Sequence, residues 1–514
     1  MALEATIESV LHGAGVRGKL PAAVAKLPVA GLAYDSRRVG KNFLFFAFAG
    51  AHVDGAEFAA EALKKGAVAI VSEAQKPKGF EGPWIQVEHG RRALGSAASQ
   101  FYDHPDERIR FTGITGTNGK TTTLYLTDSV LRAAGFKTAM IGTIEYRVAG
   151  VARNAVNTTP ESLDVMQVAH ELEEAGGNHL VMEVSSHALA LERTHSIDFH
   201  TAVFTNLTRD HLDFHQTPEA YAAAKRLLFV PKEGEGPAWA ILNADDPRSR
   251  QMIPTGSSTV LWYGFTSPAS SENTNTLLAE KIRSGFDGLT FEMVWKGKKQ
   301  PVRSALVGRM NVSNLLAAAG VGLSYGLDLE TIARGLEACR SIPGRFERID
   351  HGQPFLVVVD FAHTEDALRN VLGVARELAS ARSGRVITLF GCGGDRDRTK
   401  RPLMGSTAGE LSDFVVLTSD NPRSEDPIGI LNDVMVGLGR HDTAHIVEPD
   451  RATAIRRAFA EARPADVVIL AGKGHETYQI LKDRTLDFDD RVTARAALES
   501  LGYTPKKDAH ETRQ

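Results

Sequence analysis

The sequence predicts an α/β protein of three domains whose sheets are largely parallel. Short apolar runs rich in β-branched residues, each ending in Gly, Asp, Asn or Ser, alternate with Ala- and Leu-rich helical stretches through most of the chain. A chain of 514 residues is also too long to fold around a single core. The runs fall into three groups along the sequence, and each group predicts one domain.

The first predicted domain, residues 1–105, contains the apolar runs FLFFAFAG, VAIVS and WIQV. The second, residues 106–343, contains RIRFTGITG, NHLVMEVSS, FHTAVFTNL and WAILNAD and ends near the Pro-Gly pair of SIPGRFER. The third, residues 344–514, contains FLVVVDFAH, RVITLFGCGG, FVVLTSDN and DVVILAGKG. Within the second domain, the polar stretch 265–305 is predicted to be a β-rich insertion.

Composition and charge exclude several classes of protein. The formal net charge of −4 gives no electrostatic reason to expect a nucleic-acid partner. Nowhere do ~18 apolar residues run uninterrupted, and the N-terminus lacks an apolar core of signal-peptide length. The two cysteines, Cys339 and Cys392, are far apart and lack metal-ligand spacing, which is typical of reduced thiols. We therefore expect a soluble cytoplasmic protein with no membrane or nucleic-acid partner.

A glycine-rich segment, ITGTNGKTTT, lies between a predicted strand and a predicted helix. Backbone N–H groups of such a turn, with the helix N-terminus behind them, form a cradle for anions. Lys120 would reach the β- and γ-phosphates and the Thr121 hydroxyl would hold Mg²⁺. The general phosphate-loop pattern has Gly where this chain has Ile114, so the segment alone could be an unrelated glycine turn.

The nucleotide predicted for this loop is ATP, because no Asn-Lys-x-Asp segment that would read guanine follows it. The predicted loop residues are Gly116, Thr117, Asn118, Gly119, Lys120, Thr121 and Thr122.

Polar side chains follow the strands of the middle domain, where ligands of open parallel sheets bind. Glu183 and Ser185 follow one strand, and His211 follows another within TNLTRDHLDFH. Glu183 and His211 are candidate Mg²⁺ ligands, directly or through water. Taken singly, His211 is predicted to be a surface histidine and Glu183 a buried, paired carboxylate. Their position at strand ends favours the metal role.

Three polar loops, GCGGDRD, SDNPR and AGKGHE, follow three strands of the last domain. Each could be an ordinary turn, because Asn-Pro and Gly-Gly are common turn formers. Three such loops at three strand ends instead predict one charged pocket. Its candidate residues are Arg396, Asp420, Asn421, Arg423, Lys473, His475 and Glu476.

These motifs, together with YAAAKRLLF, GRMNVSNLLAA, IPGRFE and VVDFAHT, resemble the ATP-dependent Mur ligases of peptidoglycan precursor synthesis. The resemblance runs in family order from about residue 30 to 490. It implies a smaller N-terminal α/β domain that binds UDP, a central P-loop ATPase-type parallel sheet and a C-terminal Rossmann-like domain for the amino acid. A monomer is expected.

The resemblance implies an amide ligase that phosphorylates a D-glutamate carboxylate with ATP and joins the acyl phosphate to an incoming amine. The segments YDSRRV and AGAHVDG resemble the member that adds the third residue of the stem peptide, which implies UDP-N-acetylmuramoyl-L-alanyl-D-glutamate as substrate. The amino acid is then diaminopimelate or L-lysine. Diaminopimelate carries an extra carboxylate that an arginine can bind, and Arg423 of DNPR predicts meso-diaminopimelate.

The resemblance also assigns roles to single residues. Lys225, which alone reads as an ordinary surface lysine, matches the family's carbamylated lysine and would share one Mg²⁺ with His211, while Thr121 and Glu183 would hold the other. Lys120, Glu183, His211 and Lys225 are the implied catalytic residues. The ATP site would further include Asn314, Arg345 and Asp360.

Substrate contacts are implied in the same way. The nucleotide-peptide would meet Tyr34, Ser36, Ala51, His52, Val53, Asn157, Thr158, Thr159, Ser185 and Arg193. Diaminopimelate would meet Arg396, Asp420, Asn421, Pro422, Arg423, Gly472 and Glu476.

This chain departs from the family pattern at two positions. Leu191 stands where a glutamine is common, which puts one substrate hydrogen bond in doubt, and Phe361 stands where tyrosine is usual. Three other functions compete with this assignment. A folylpolyglutamate synthetase relative is disfavoured by TTT after the loop lysine and by the DNPR and GKGHE loops. A regulatory protein on a degenerate ligase fold predicts loss of Lys120, His211 or Lys225, and all three are present. A nucleic-acid motor predicts a basic groove, which the net charge of −4 does not suggest.

Overall fold

The computed structural model describes residues 5–50, 53–266 and 275–505, which form two compact units. The first unit comprises Met1–Leu207, Phe214–Leu278 and Leu316–Gly335, and the second comprises Thr208–Asp213, Ala279–Leu315 and Leu336–Gln514. The predicted first and middle domains therefore contribute two sheets to one unit, and parts of the predicted middle domain belong to the other. The domain boundaries at 105 and 343 stay predictions.

The N-terminal sheet of the first unit has four parallel strands in the order in which they occur along the chain. Its strands are β1 (Gly31–Ala33), β2 (Phe43–Ala47), β3 (Ala67–Ser72) and β4 (Trp84–Gln86). Its helices are α1 (Ile7–Val10), α2 (Ala22–Ala25), α3 (Ala59–Lys64) and α4 (Gly90–Phe101), with 3₁₀ turns at Ser36–Arg38 and Gly55–Phe58. The apolar runs predicted as strands are confirmed.

The second sheet of this unit has the strand order β13-β12-β11-β10-β5-β9-β6-β7-β8. The strands are β5 (Arg110–Thr115), β6 (Thr138–Ile141), β7 (Glu145–Val148), β8 (Val151–Asn154), β9 (His179–Glu183), β10 (Phe199–Phe204), β11 (Trp239–Asn243), β12 (Thr259–Gly264) and the start of β13 (Thr276–Gly285). The helices are α5 (Pro105–Arg108), α6 (Lys120–Ala133), α7 (Ser162–Glu174), α8 (Ser186–Ala190), α9 (Leu212–His215) and α10 (Pro218–Arg226), with a 3₁₀ turn at Pro247–Met252.

The central strands of this sheet, β5, β9 and β10, are buried along almost their whole length. Such strands are covered on both faces, which explains their continuous apolar sequences. They are paired in parallel, β10 with β5 and β5 with β9. Their carboxyl ends therefore open at one edge of the sheet. A single buried core joins this sheet to the N-terminal one, with Phe46 and Ile85 from the first and Phe111 and Leu180 from the second.

The polar stretch predicted as a β-rich insertion is strand-rich in its described part. Strand β13 pairs with β12 through its first residues, and β14 (Gly288–Trp295) pairs with β15 (Lys298–Ser304) in an antiparallel hairpin. Two helices follow, α11 (Arg309–Ser324) and α12 (Leu329–Ala338). Residues 267–274 lie outside the described residues.

The second unit contains a six-stranded sheet of order β16-β17-β21-β18-β19-β20, parallel except for β16. The strands are β16 (Glu347–Ile349), β17 (Leu356–Asp360), β18 (Val386–Phe390), β19 (Phe414–Leu417), β20 (Ala444–Val447) and β21 (Val467–Ala471), followed by the hairpin β22 (Tyr478–Ile480) and β23 (Thr485–Asp487). The helices are α13 (Glu365–Ser380), α14 (Lys400–Leu411), α15 (Pro427–Leu438), α16 (Arg451–Glu461) and α17 (Asp490–Ser500).

Helices cover both faces of this sheet. Alternate residues of β17 enter different cores, Val358 with the residues of α13 to α15 and Val357 with those of α16 and α17. This is the doubly wound arrangement, in which ligands bind beyond the carboxyl ends of the strands. The Rossmann-like architecture predicted for this region is confirmed. Among the described residues, no helix combines the length and the apolar character needed to cross a membrane.

A fully buried ion pair joins the first residues of α16 and α17. Arg451 Nε and Nη2 donate to the two carboxylate oxygens of Asp490 at 2.8 and 2.6 Å, and neither side chain is exposed. Arg451 Nη2 also donates to the Ala471 carbonyl at 2.9 Å, at the carboxyl end of β21. The pair therefore ties two helix starts to the strand end that precedes the AGKGHE loop.

We expect Asp490→Asn to lower the free energy of unfolding by about 3–5 kcal/mol, because it leaves the Arg451 cation buried without its counter-ion. Urea unfolding followed by circular dichroism measures the change. Arg37→Met, which removes an ion pair of a highly exposed arginine with Asp35, is the control and should unfold like the unmodified protein. Equal unfolding curves for Asp490→Asn and Arg37→Met would contradict the prediction.

Candidate active site

The segment predicted to bind phosphate forms a tight loop between β5 and α6. Gly116 has φ +146° and Gly119 has φ +86°, conformations that side-chain-bearing residues rarely adopt. A Cβ on Gly116 would lie 1.9 Å from Thr205 Oγ1, so only glycine fits this approach. Lys120 begins α6 and donates from Nζ to the carbonyls of Gly116 and Thr117 at 2.9 and 2.8 Å. The strand, turn and helix predicted from the sequence are confirmed.

Residues after β10 hold this loop in place. The Asn206 side chain accepts from the Asn118 amide at 2.9 Å and donates to the Asn118 carbonyl at 3.1 Å. The Asn206 carbonyl accepts from the Thr117 amide at 2.8 Å, and Thr205 Oγ1 donates to the Asn118 carbonyl at 2.6 Å. The loop is thus fixed by a neighbouring strand end rather than by its own residues alone.

Glu183 lies at the end of β9, beside the start of α6. Its side chain is buried, and its Oε1 accepts from Thr121 Oγ1 at 3.0 Å and from the Thr143 amide at 2.8 Å. Thr143 Oγ1 donates to Glu183 Oε2 at 3.2 Å. The two predicted Mg²⁺ ligands Thr121 and Glu183 are therefore in direct contact. A hydroxyl and a carboxylate are the oxygen ligands that Mg²⁺ prefers.

Lys225 lies near the end of α10 and is not the surface lysine that its sequence context alone suggests. Its side chain is 1% exposed, and its Nζ donates to the Gly116 carbonyl at 2.8 Å. The same Nζ lies 4.5 Å from the centre of the Tyr221 ring. Tyr221 in turn shares a hydrogen bond of 3.1 Å with Thr117 Oγ1. Lys225 is thus part of the phosphate loop's immediate surroundings.

Residues predicted to meet the sugar and the peptide lie beside Glu183. Thr159 Oγ1 donates to the Glu183 carbonyl at 2.9 Å and accepts from the Ser185 amide at 3.0 Å. Arg193 donates from Nη1 to the Thr159 carbonyl at 3.2 Å, and its Nε lies 3.1 Å from Glu161 Oε1. Ser185 also caps α8 by accepting from the Ala188 amide. The structure brings these predicted residues together at one end of β9.

The neighbouring pair Asn157 and Thr158 belongs to the same region. The Asn157 carbonyl accepts from the Tyr146 hydroxyl at 2.6 Å, and Thr158 Oγ1 lies 3.1 Å from Thr143 Oγ1. Thr143 therefore connects the predicted substrate residues to Glu183.

The predicted UDP residues Tyr34, Ser36 and Val53 lie in and around the N-terminal sheet. The Tyr34 hydroxyl donates to Asp164 on α7, and its pKa is raised by burial and by the Asp164 carboxylate. Ser36 is buried in the 3₁₀ turn, with its carbonyl accepting from Lys65 at 3.1 Å. Val53 is 49% exposed. Ala51 and His52 lie outside the described residues.

Other predicted nucleotide and metal residues belong to the second unit. His211 has φ +51° and pairs with Asp210 at 3.4 Å. Its predicted metal site with Lys225, which belongs to the first unit, stays a prediction. Among the described residues there is no group of three or more His, Cys, Asp or Glu side chains that could hold a metal ion. The predicted Mg²⁺ ligand sets are not groups of this kind, because one contains a threonine and the other a modified lysine.

Arg345 and Asp360 lie together in the second unit. Asp360 accepts from the amides of Phe346 and Ala362 at 2.7 and 2.8 Å, and burial raises its pKa while Arg345 opposes the shift. Asn314 lies on α11 and donates to Asn311 Oδ1 at 3.1 Å. The contact of all three with ATP stays a prediction.

The three polar loops of the second unit converge, as predicted. Asn421 is their centre: its Nδ2 donates to Glu476 Oε2 at 2.9 Å, and its Oδ1 accepts from Lys473 Nζ at 3.2 Å and from the Ile480 amide at 3.0 Å. Lys473 is fully buried and also lies 3.2 Å from Glu476 Oε2 and 3.6 Å from Asp420 Oδ1. The convergence follows from the strand order β21-β18-β19, which places the three loops side by side.

This pocket contains charges of both signs. Burial raises the pKa of Glu476, and the Asp420 carboxylate adds to the shift. Burial lowers the pKa of Arg423, and the Arg396 cation adds to that shift. A ligand with both a carboxylate and an ammonium would place a cation beside Glu476 and an anion beside Arg423. It would thereby oppose both pKa shifts. Gly472 (φ +111°) and the buried Pro422 complete the predicted set.

Sequence reasoning missed Tyr221 and Thr143. A signal for Tyr221 was present, because it lies four residues before Lys225 on a predicted helix and so shares its face. Thr143 follows the end of β6, the neighbour of β9, and the rule that ligands bind at strand ends would have selected it.

Three family models match the chain in order. The model for the "Mur ligase family, catalytic domain" matches residues 28–102. The "Mur ligase middle domain" matches 114–322, and the "Mur ligase, glutamate ligase domain" matches 344–474.

Two curated relatives and one solved structure are similar over almost their whole length. The chain is 60% identical over 480 residues to UDP-N-acetylmuramoyl-L-alanyl-D-glutamate--2,6-diaminopimelate ligase of Solibacter usitatus, covering 93% of this chain and 95% of the relative. It is 44% identical over 478 residues to the Geobacillus kaustophilus protein of the same name, covering 92% and 96%. A solved structure of a ligase with this name is 31% identical with a TM-score of 0.67, covering 98% of this chain and 100% of that one.

The resemblance inferred from motifs is confirmed by these matches, as is the three-domain fold. The chain belongs to the Mur ligase family.

Proposed function

We propose that this chain is an ATP-dependent ligase that joins meso-2,6-diaminopimelate to UDP-N-acetylmuramoyl-L-alanyl-D-glutamate in peptidoglycan precursor synthesis. The observation that carries this proposal is the contact of Asn421, in the same loop as Arg423 after β19, with Glu476 in the loop after β21, in a chain 60% identical to a ligase named for this reaction. The phosphate loop in the first unit supports the use of ATP.

The loop residues bind and orient the ATP phosphates. The backbone amides at the start of α6, where Lys120 and Thr121 lie, favour negative charge. Lys120 exchanges its contacts with loop carbonyls for contacts with phosphate oxygens. Its positive charge then lies beside the phosphoryl group that is transferred. The γ-phosphate passes to the D-glutamate carboxylate, whose oxygen forms the new P–O bond while ADP leaves. The resulting acyl phosphate is attacked by the amine of diaminopimelate, which forms the amide and releases phosphate.

Thr121 and Glu183 would hold one Mg²⁺, since their oxygens already lie 3.0 Å apart in a buried position. When bound, Mg²⁺ supplies positive charge to the phosphate oxygens. His211 and Lys225 would hold a second Mg²⁺. The Lys225 ammonium would first lose a proton. Addition of CO₂ to the neutral amine would then form an N–C bond and release a second proton, so that a buried cation becomes an anionic oxygen ligand.

The charged pocket of the second unit selects the amino acid. Diaminopimelate differs from lysine by one carboxylate at its far end, and Arg423 binds it through two parallel hydrogen bonds. Arg396, Asn421, Gly472 and Glu476 hold the other end, where Glu476 accepts from the ammonium group. The opposed pKa shifts of Arg423 and Glu476 support this division, because each is relieved by a ligand charge of opposite sign.

We further propose that the enzyme acts in the cytoplasm as a monomer, without a nucleic-acid or membrane partner. The buried thiol of Cys392, whose pKa is raised to about 12 by burial, is compatible with a reducing compartment.

The activity is tested by phosphate release with ATP and UDP-N-acetylmuramoyl-L-alanyl-D-glutamate, offering meso-diaminopimelate or L-lysine separately. We expect release that requires the nucleotide-peptide and meso-diaminopimelate, with L-lysine a much poorer substrate because it leaves Arg423 without its carboxylate. Release independent of both amino acids would rule out the ligase, and a preference for lysine would rule out the role of Arg423.

Arg423→Ala should raise the KM for meso-diaminopimelate by at least roughly 10- to 150-fold, since each charge-assisted hydrogen bond that is lost contributes about 1.5–3 kcal/mol. Steady-state kinetics at saturating ATP measure the change. Arg456→Ala, which removes an exposed arginine of the same unit, is the matched control and should leave the KM unchanged. An unchanged KM in Arg423→Ala would contradict the assignment.

Lys225→Ala should abolish phosphate release and regain part of it when short carboxylates such as acetate or formate are added, because they replace the carbamate oxygens. Lys120→Ala is the control: its role requires a cation, so carboxylates should not restore it. Equal responses of the two variants to carboxylate would count against carbamylation of Lys225.

A further inference from the structure

The loops Gly391–Asp397 and Asn421–Glu425 of the second unit are joined beneath the charged pocket by a buried arginine. We infer that Arg401 and Glu425 form a clamp that positions the Arg423 side chain and thereby sets the selectivity for diaminopimelate over lysine. The inference rests on the proposed function and extends it to two residues that do not themselves line the pocket.

Arg401 lies near the start of α14 and is 0% exposed. Its Nη2 and Nη1 donate to the two oxygens of Glu425 at 2.8 and 3.0 Å, which is a bidentate pair. The same guanidinium donates to Asp433 on α15 at 2.9 Å and to the Gly393 carbonyl at 3.2 Å. One buried side chain therefore contacts both loops and the helix that follows the second loop.

Glu425 and Asp395 complete the connection. Glu425 Oε1, besides its bond to Arg401, accepts from the Asp395 amide at 2.6 Å. The Asp395 carboxylate accepts from the Ser424 amide at 3.1 Å and from the Ser424 hydroxyl at 2.7 Å. The Arg401 guanidinium lowers the pKa of Glu425 to about 2. The Glu425 carboxylate is therefore charged at neutral pH.

Arg423 is held at the point where the two loops meet. Its backbone has φ +53°, its amide donates to the Ile480 carbonyl at 3.1 Å, and its Nη1 donates to the Gly394 carbonyl at 2.8 Å. A Cβ on Gly394 would lie 1.9 Å from the Pro422 carbonyl, so the loops are in direct backbone contact. A shift of either loop moves the guanidinium relative to Asn421 and Glu476.

Selectivity is sensitive to such a shift. Bidentate binding of a carboxylate needs both guanidinium N–H groups in the correct plane, whereas binding of the end that lysine shares with diaminopimelate does not use Arg423. Loss of the clamp should therefore impair diaminopimelate more than lysine. A pair that served stability alone would affect both substrates equally.

The test compares Arg401→Met, Glu425→Gln and Asp395→Ala with the unmodified enzyme. We expect the KM for meso-diaminopimelate to rise about tenfold or more in the first two variants and several-fold in Asp395→Ala, with the KM for ATP unchanged. The ratio of kcat/KM for meso-diaminopimelate to that for L-lysine should fall in all three. Asp395 is exposed, so Asp395→Ala is expected to fold even if removal of buried Arg401 prevents folding.

The matched control is Arg385→Met. Arg385 also bonds two acidic residues, Asp466 and Glu461, but it lies at the opposite end of β18. It should lower the melting temperature without changing the selectivity ratio. A folded Arg401→Met, Glu425→Gln or Asp395→Ala enzyme with an unchanged ratio would overturn the clamp. Failure of the unmodified enzyme to use meso-diaminopimelate would overturn the proposed function instead.

Discussion

Parallel pairing of the central strands is the constraint on which the candidate binding residues of each unit depend. Because β5, β9 and β10 run in one direction, the phosphate loop, Glu183 and Asn206 follow them at one edge. The same rule brings Asn421 and Glu476 together beyond β19 and β21 in the second unit. A strand reversed in either sheet would carry its polar loop to the far edge, where it could not contact the others.

The loops at these edges are fixed by close backbone approaches as well as by side-chain hydrogen bonds. A Cβ on Gly116 would lie 1.9 Å from the Thr205 side-chain oxygen, and a Cβ on Gly394 would lie 1.9 Å from the Pro422 backbone carbonyl. Contacts this close allow little independent movement of either loop. The binding groups are therefore held in position before any ligand arrives, and less conformational entropy is lost on binding.

Sequence reasoning found the residues that follow strands, because strand ends can be read from apolar periodicity and Gly or Asn punctuation. It found the convergence of Asn421 and Glu476 for that reason. It did not find Arg401. The role of Arg401 depends on which face of α14 is buried and on its contacts with Glu425 and Asp433. The residues next to Arg401 in the sequence indicate neither. The burial of Lys225 was likewise invisible, because its helix places it under the phosphate loop only in the folded chain.

The Phe361 ring contacts Arg345 and His475, two of the residues predicted from the sequence to line a binding site. The Arg345 guanidinium lies 4.6 Å from the ring centre, and the His475 ring lies 5.0 Å away. Both contacts use the π system, which phenylalanine and tyrosine share. Burial, with Arg345 nearby, lowers the pKa of His475 to about 3, so the imidazole is neutral and adds no second positive charge beside Arg345. Both contacts of the Phe361 ring therefore form without a ring hydroxyl.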